Sequence, residues 1–123
     1  MKRAGPGHSI LVIEDNVDAA DTLAMLLRLR GHHVEVARSG TEGLESSAAR
    51  RPEIILLDIG MPGLDGFAVA SRLRADPRFD EVRIIAITGF GMESDRRRSA
   101  EVGIDYHLLK PCDLEELDTL LEV

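Results

Sequence analysis

Short apolar runs recur along the chain, and they predict the strands of one sheet. Runs rich in isoleucine, leucine and valine, bounded by polar residues, are typical of buried strands. Five such runs occur, "SILVI", "HVEVA", "EIILL", "RIIAIT" and "YHLL", at residues 9–13, 33–37, 53–57, 83–88 and 106–109.

The segments between these strands carry apolar residues three or four positions apart, a spacing that predicts amphipathic helices. The predicted helices cover residues 16–30, 40–50, 67–75, 93–102 and 113–123. Strand and helix therefore alternate five times. Because neighbouring parallel strands need crossover connections, this order predicts an α/β fold, a three-layer sandwich with helices on both faces of a five-stranded parallel sheet.

Composition narrows the classes of protein to consider. The chain has 123 residues, enough for one domain, and its formal net charge of −7 argues against direct nucleic-acid binding. No apolar run is long enough for a membrane span, and the single cysteine, Cys112, excludes an internal disulfide. Residues 1–8 lack the apolar core of a secretory signal. We therefore expect a flexible tail over residues 1–8, a domain over residues 9–123 and a cytoplasmic location.

Polar side chains stand where the predicted strands end. The carboxyl ends of parallel strands meet at one edge of a sheet, which is where ligands of such folds bind. The residues concerned are Glu14 and Asp15 after the first strand, Asp58 after the third, Thr88 at the end of the fourth and Lys110 after the fifth.

Three carboxylates at one edge would raise one another's pKa unless a cation lies between them. Hard oxygen ligands of this kind suit Mg²⁺. Glu14 and Asp15 alone could simply interact with the dipole of the following helix. The third acid, Asp58, at the end of a separate apolar strand, favours a metal site.

The amine of Lys110 and the hydroxyl of Thr88 add to the interpretation of this edge as a functional site. Lys110 could be an ordinary surface charge, but Pro111 restricts it to an extended conformation from which it can reach the acids. Thr88 could be present only because β-branched residues favour strands. Together with the carboxylates, however, an ammonium and a hydroxyl predict a phosphoryl-transfer site with a nucleophilic carboxylate, Asp58.

Four motifs, "IEDN", "LLDIGMPGLDG", "AITG" and "LLKP", in this order and spacing, resemble the receiver domain of two-component response regulators. The resemblance runs from about Ser9 to the C-terminus. It implies a flavodoxin-like fold with strand order 2-1-3-4-5. It also implies that Asp58 accepts a phosphoryl group from a sensor histidine kinase or a histidine phosphotransfer protein, and that Thr88 and Lys110 bind the phosphoryl oxygens.

The resemblance also implies a set of metal ligands and a switch. Mg²⁺ would be bound by Asp15, Asp58 and the backbone carbonyl of Gly60, with Glu14 acting through a coordinated water. Phosphorylation would draw Thr88 inward, and a side chain three residues before Lys110 would fill the space. That position holds His107, where many relatives carry an aromatic residue; Tyr106 comes one residue earlier. A histidine here resembles receivers attached to hybrid sensor kinases, and a half-buried histidine without a signalling role is the alternative.

The implied output surface consists of the fourth helix, the fifth strand and the fifth helix. It includes Arg96, Arg97 and Arg98, which could meet an acidic partner or a second copy in a homodimer. The effector would then be a protein in trans or a domain absent from this chain.

Three other functions fit the sequence less well. A phosphohydrolase of the haloacid-dehalogenase type would need a second acid two residues after Asp58, where this chain has Gly60. A flavodoxin-like cofactor binder would need a phosphate cradle after the first strand, where "EDNVDAA" is acidic. A degenerate receiver that serves only as a scaffold is disfavoured because all five site residues are present. The sequence thus predicts a signalling switch rather than a turnover enzyme.

Overall fold

The five predicted strands form one parallel sheet. The computed structural model describes residues 7–61, 65–89, 95–110 and 112–122. The sheet order is β2-β1-β3-β4-β5, which confirms the predicted order 2-1-3-4-5. The strands are β1 (Ser9–Ile13), β2 (His33–Ala37), β3 (Ile54–Asp58), β4 (Arg83–Thr88) and β5 (Tyr106–Leu109).

Helices follow each strand, as the sequence predicts. They are α1 (Val17–Leu29), α2 (Gly40–Arg50), α3 (Gly66–Arg74), α4 (Asp95–Glu101) and α5 (Leu114–Glu122). The side chains of Asn16, Ser39 and Asp65 cap the first three helices by accepting hydrogen bonds from backbone N–H groups of their first turns. A single turn of 3-10 helix, Pro77–Phe79, was not predicted. No helix in the described ranges is long and apolar enough to cross a membrane.

Alternate residues of the central strands face opposite layers, as strand geometry requires. One core packs beneath α2 and α3, and a second packs beneath α1 and α5, so the three-layer sandwich is confirmed. From the strands, the first core takes Leu11, Ile13, Ile55, Leu57, Ile84 and Ala86, and the second takes Ile10, Val12, Ile54, Leu56, Ile85 and Ile87.

The central strand β3 carries a carboxylate to the edge of the sheet. All of its residues are buried, and Asp58 is its last residue, one position beyond the predicted end. Asp58 still pairs in register with Ile87 of β4. The ladder therefore fixes the backbone of Asp58, and its side chain emerges where the sheet ends.

At the opposite edge, one guanidinium joins four segments. Arg74, in the last turn of α3, donates to the carbonyl oxygens of Gly103 (2.9 Å), Phe79 (2.8 Å) and Val82 (2.8 Å). It also pairs with the carboxylate of Asp105 at 2.9 Å. The end of α3, the 3-10 turn, the approach to β4 and the approach to β5 are thus held by a single side chain, which we call the Arg74 hub.

Replacing Arg74 with Met should therefore lower the free energy of unfolding by about 2 kcal/mol, because several partly buried acceptors lose a charged donor while the aliphatic stem is kept. Arg72→Met is the matched control, since Arg72 is exposed on the same helix and loses the same charge. Urea denaturation of both variants measures the difference. Equal stability of the two variants would contradict this account of the hub.

Part of the sequence-based interpretation falls outside the described residues. Residues 1–6 of the predicted tail and Pro111 are in this group, and so is the side chain of Arg96. Gly7 and His8, the end of the predicted tail, lie against the turn between α1 and β2.

Candidate functional site

The three predicted acids meet at the carboxyl edge of the sheet. One oxygen from each of Glu14, Asp15 and Asp58 lies within 4.8 Å of the others. Glu14 and Asp58 are only 5% and 4% exposed, whereas Asp15 is open to solvent. A cluster of hard carboxylate oxygens, two of them buried, is a donor set that fits Mg²⁺.

Backbone and side-chain donors orient the Asp58 carboxylate. Its Oδ1 accepts a hydrogen bond from the backbone N–H of Gly60 at 2.9 Å. The same oxygen lies 3.2 Å from Nζ of Lys110. One oxygen of Asp58 is thereby held by two donors.

Lys110 reaches back over the acids, as the sequence predicts. Its Nζ lies 3.6 Å from Glu14 and 3.2 Å from Asp58, and its backbone N–H donates to the carbonyl of Thr88 at 2.8 Å. Partial burial alone would lower the pKa of Lys110, but the negative charges of Asp58 and Glu14 outweigh it, and the pKa is raised. Lys110 is therefore a permanent cation beside the cluster.

Glu14 is the acid most affected by the crowding. Burial, followed by its contact with Asp58, raises the pKa of Glu14 to about 7. The backbone N–H of Asn16, 3.0 Å from Oε2, and the charge of Lys110 act in the opposite direction. Glu14 therefore keeps its proton to a higher pH than an ordinary glutamate does when no metal is bound.

This shift makes stability depend on pH in a defined direction. Because the pKa of Glu14 is raised on folding, its charged form opposes folding, and the metal-free protein should lose stability as pH rises from about 4.5 to about 7. Glu14→Gln, which mimics the protonated acid, should then be more stable than the unmodified chain by about 2 kcal/mol at pH 8 in EDTA, and nearly equal to it at pH 5. Thermal unfolding at both pH values measures this. A Glu14→Gln variant that is less stable at pH 8 would contradict the assignment.

The hydroxyl of Thr88 lies at the same edge, but it hydrogen-bonds to the backbone of β5. Thr88 is 6% exposed, and its Oγ1 donates to the carbonyl of Leu108 at 3.5 Å. At that length the hydrogen bond is weak. The hydroxyl can therefore be released from β5 at low cost.

The register of β5 agrees with the predicted placement of His107. His107 pairs with Ala86 and is half-buried, while Tyr106 and Leu108 pack into the core beneath α1 and α5. Successive strand residues face opposite sides. His107 therefore lies on the other side of the sheet from Tyr106, next to β4, and its switching role stays a prediction.

An apolar groove beside the acids was not predicted. It has a volume of about 740 Å³ and runs between α1 and α5 from Glu14 and Lys110. Its apolar lining is Ala19, Leu23, Leu26, Ile87, Cys112 and Leu114. These residues come from separate segments, so only the sheet order brings them together. Burial raises the pKa of the Cys112 thiol, which is consistent with a packing role.

Comparison with known sequences agrees with the resemblance to receiver domains. A family model for the response regulator receiver domain matches residues 10–122. The DNA-binding dual master transcriptional regulator RpaA of Synechocystis sp. is 33% identical over 108 residues, which are 88% of this chain and 45% of RpaA. Response regulator MprA of Mycobacterium ulcerans is 38% identical over 108 residues, 88% of this chain and 46% of MprA. The chain thus spans less than half the length of these relatives.

A solved structure extends the similarity to the site. The receiver domain of the sensor histidine kinase PA1611 from Pseudomonas aeruginosa PAO1 is 31% identical, with a TM-score of 0.85 over 94% of this chain and 95% of that one. That domain holds a magnesium ion in its active-site cleft. Since the family model covers nearly the whole chain and the fold and acidic edge agree with it, the chain belongs to the response regulator receiver domain family.

Proposed function

We propose that this chain is the phosphoacceptor of a two-component system and that Asp58 receives the phosphoryl group from a histidine of a sensor kinase or of a histidine phosphotransfer protein. The observation that carries the proposal is the position of Asp58. It is a buried carboxylate 3.2 Å from the Lys110 ammonium, in one cluster with Glu14 and Asp15.

The transfer step follows from these contacts. A carboxylate oxygen of Asp58 attacks the phosphorus, an O–P bond forms, and the N–P bond breaks with its electron pair returning to the imidazole. The Gly60 N–H fixes the carboxylate, and Lys110 offers a positive charge to the phosphoryl oxygens. When bound, Mg²⁺ supplies further positive charge to those oxygens. Asp15, Asp58 and the Gly60 carbonyl would hold it directly and Glu14 through a water.

The switch would use the weakly held hydroxyl of Thr88. After transfer, Thr88 exchanges its long bond to Leu108 for a phosphoryl oxygen. The space that it leaves would be filled by His107, which pairs in the sheet with Ala86, two residues before Thr88. Phosphorylation is thereby converted into a rearrangement of β4 and β5.

A partner would recognise that rearrangement at a surface formed by α4, β5 and α5. Arg97 is exposed on α4, whereas the guanidinium of Arg98 lies over the ring of Phe67 in α3, 4.2 Å from its centroid. Leu109 is 51% exposed at the free edge of the sheet. This combination suits an acidic protein partner in trans, a further domain of the same protein or a second copy, rather than nucleic acid. We place this exchange in the cytoplasm.

A switch fits the site better than a phosphohydrolase. Two residues after Asp58 the chain has Gly60, which offers no side-chain acid or base to assist hydrolysis. The acyl phosphate would accordingly persist as a signal, and the chain would act once per phosphoryl group.

Phosphotransfer profiling tests this function. Histidine kinases labelled with radioactive phosphate at their histidine are mixed with the chain, with and without EDTA. We expect label to move to the chain from at least one kinase, and to stay on the kinase when EDTA is present. If no kinase that labels another receiver domain labels this chain, the proposal is wrong.

A further inference from the structure

A cation and an aromatic ring connect α4 to α3. The Cζ atom of the Arg98 guanidinium, in α4, lies 4.2 Å from the centroid of the Phe67 ring, in the first turn of α3. Phe67 is buried, whereas Arg98 is exposed. A guanidinium at this distance is attracted by the negative face of the ring. We call this pair of side chains the Arg98–Phe67 contact.

The ring of Phe67 belongs to a part of α3 that is packed directly on the strand end carrying Asp58. At the preceding residue, Gly66, an added Cβ would lie 2.8 Å from the backbone oxygen of Asp58. The side chain of Asp65 also fixes this turn by accepting a hydrogen bond from the N–H of Ala68 at 2.9 Å. We therefore expect the ring to stay with β3 when α4 moves.

The other ends of α3 and α4 are joined more strongly. Arg74 of the hub donates to the carbonyl of Gly103, just beyond α4, at 2.9 Å, and Val102 and Ile104 pack in the core beneath α3. Arg74 lies two turns after Phe67 along α3, which is about 10 Å at the usual rise of a helix. The segment that contains α4 is thus attached to α3 at two separate places, and the Arg98–Phe67 contact is the one nearer Asp58.

Phosphorylation would act on α4 through β4. Thr88 is the last residue of β4, and α4 is the next helix along the chain. In the proposed switch the Thr88 hydroxyl leaves the carbonyl of Leu108 for a phosphoryl oxygen, so the end of β4 would move toward Asp58 and displace α4 relative to α3. Because the Arg74 hub holds one end of α4, the displacement would be taken up at the other, where Arg98 faces the ring.

A small displacement is enough to break the Arg98–Phe67 contact. The attraction is appreciable only within about 6 Å of the ring centroid, so it is lost once the guanidinium has moved outward by about 2 Å. For an exposed arginine the attraction corresponds to a factor of about two to five in an equilibrium constant. The contact can therefore bias the switch without blocking it.

We propose that Arg98 is a positioning residue of the switch. Through Phe67 it holds α4 in the unphosphorylated arrangement, and phosphorylation of Asp58 separates the two side chains. This proposal rests on the proposed function, because it assumes that Asp58 is the phosphoacceptor. By linkage, a contact made only in the unphosphorylated arrangement weakens the binding of a phosphoryl mimic by the factor that the contact contributes.

Beryllium fluoride, a mimic of the phosphoryl group, tests the direction of this effect. Arg98→Met keeps an unbranched side chain but removes the cation, so it should bind beryllium fluoride with Mg²⁺ about two to five times more tightly than the unmodified chain. Arg97→Met, at an exposed neighbour, loses the same charge and should not bind more tightly. Loss of a positive charge by itself would weaken the binding of an anion. Equal affinities of the two variants would overturn the proposal.

A double variant tests whether Arg98 acts through the ring. Phe67→Leu removes the ring but keeps an apolar side chain in the core. When the ring is absent, Arg98→Met should cause no further increase in affinity, because the contact is already lost. If Arg98→Met increased the affinity as much in the Phe67→Leu chain as in the unmodified chain, Arg98 would act on another group and the proposal would be wrong.

The unmodified chain offers a measurement that does not depend on any variant. The ring of Phe67 should shift the NMR signals of the Arg98 side chain upfield, and saturation with beryllium fluoride should return them to ordinary values. Unchanged signals at saturation would overturn the proposal and leave the proposed function intact. A chain that neither binds beryllium fluoride nor is phosphorylated by phosphoramidate would instead reject the proposed function, and this proposal with it.

Discussion

Replacing Asp58 with Asn should abolish phosphorylation of the chain and leave the fold intact. The amide has nearly the same shape as the carboxylate, but its oxygen is a poor nucleophile and it carries no charge for a metal. It also removes a negative charge 3.2 Å from Lys110 and beside Glu14, whose pKa is raised to about 7 by burial and then by its contact with Asp58. The variant should therefore be folded at neutral pH, so that loss of phosphorylation cannot be ascribed to unfolding.

Intact mass spectrometry after incubation with phosphoramidate and Mg²⁺ measures this result. The unmodified chain should gain one adduct of about 80 Da, the mass of a phosphoryl group, and Asp58→Asn should gain none. Asp80→Asn is the matched control, because Asp80 is exposed after the 3-10 turn, and it should form the adduct normally. If Asp58→Asn formed the adduct to the same extent as the unmodified chain, Asp58 would not be the phosphoacceptor. Because phosphoramidate replaces the kinase, the experiment is independent of the partner.

Gly66→Ala should strongly destabilise the chain, with a loss of about 3 kcal/mol in the free energy of unfolding. A Cβ at Gly66 would lie 2.8 Å from the backbone oxygen of Asp58 and 2.8 Å from Cα of Ile59. Both are backbone atoms of a buried strand end, so neither can move aside without shifting the phosphoacceptor. Alanine is otherwise the better helix former by about 1 kcal/mol, which makes the expected loss a measure of steric conflict alone.

Gly60→Ala is the matched control for this prediction. Its added Cβ would meet only Oδ1 of Asp58, at 3.7 Å, which is an ordinary contact. Chemical denaturation in EDTA should therefore show a change below about 1 kcal/mol for Gly60→Ala. If Gly66→Ala is as stable as Gly60→Ala, α3 is not packed against the end of β3 in the way described.

The strands were predictable because a buried run has sharp limits. β1, β2, β4 and β5 have the predicted bounds, and β3 is shifted by one residue, from the predicted 53–57 to Ile54–Asp58. In a sequence pattern, a charged residue such as Asp58 normally marks the end of an apolar run. The backbone of Asp58 nevertheless continues the strand, because it still pairs with Ile87 of β4. Helix ends were less certain. The predicted first helix began at the capping residue Asn16, which lies just outside α1.

The 3-10 turn was missed although its signal is present. Pro77 stands at its first position, and Asp76 accepts a hydrogen bond from the N–H of Arg78. An aspartate followed by a proline is a common start for a tight turn. The turn is short and has no apolar periodicity, so a search for periodic patterns passes over it.

The acidic site was predictable because it depends only on strand ends. Once Glu14, Asp15 and Asp58 are assigned to strands of one parallel sheet, the sheet brings them together. The Arg74 hub depends instead on contacts between residues far apart in the sequence, Arg74 and Asp105 among them. No local pattern marks such contacts, since they join residues that are far apart along the chain.

The Arg74 hub has a mechanical consequence for signalling. It ties the approaches to β4 and β5, and the C-terminal side of α4 at Gly103, to the end of α3, all at the edge farthest from Asp58. Because Arg74 restrains these elements at one end, a displacement that begins beside Asp58 should not move β4, β5 and α4 together as a simple translation. We expect it to appear instead as rotation about a pivot near Arg74, with an amplitude that grows with distance from that side chain. The amount of angular motion delivered to a partner is then set by a side chain that never touches the phosphoryl group.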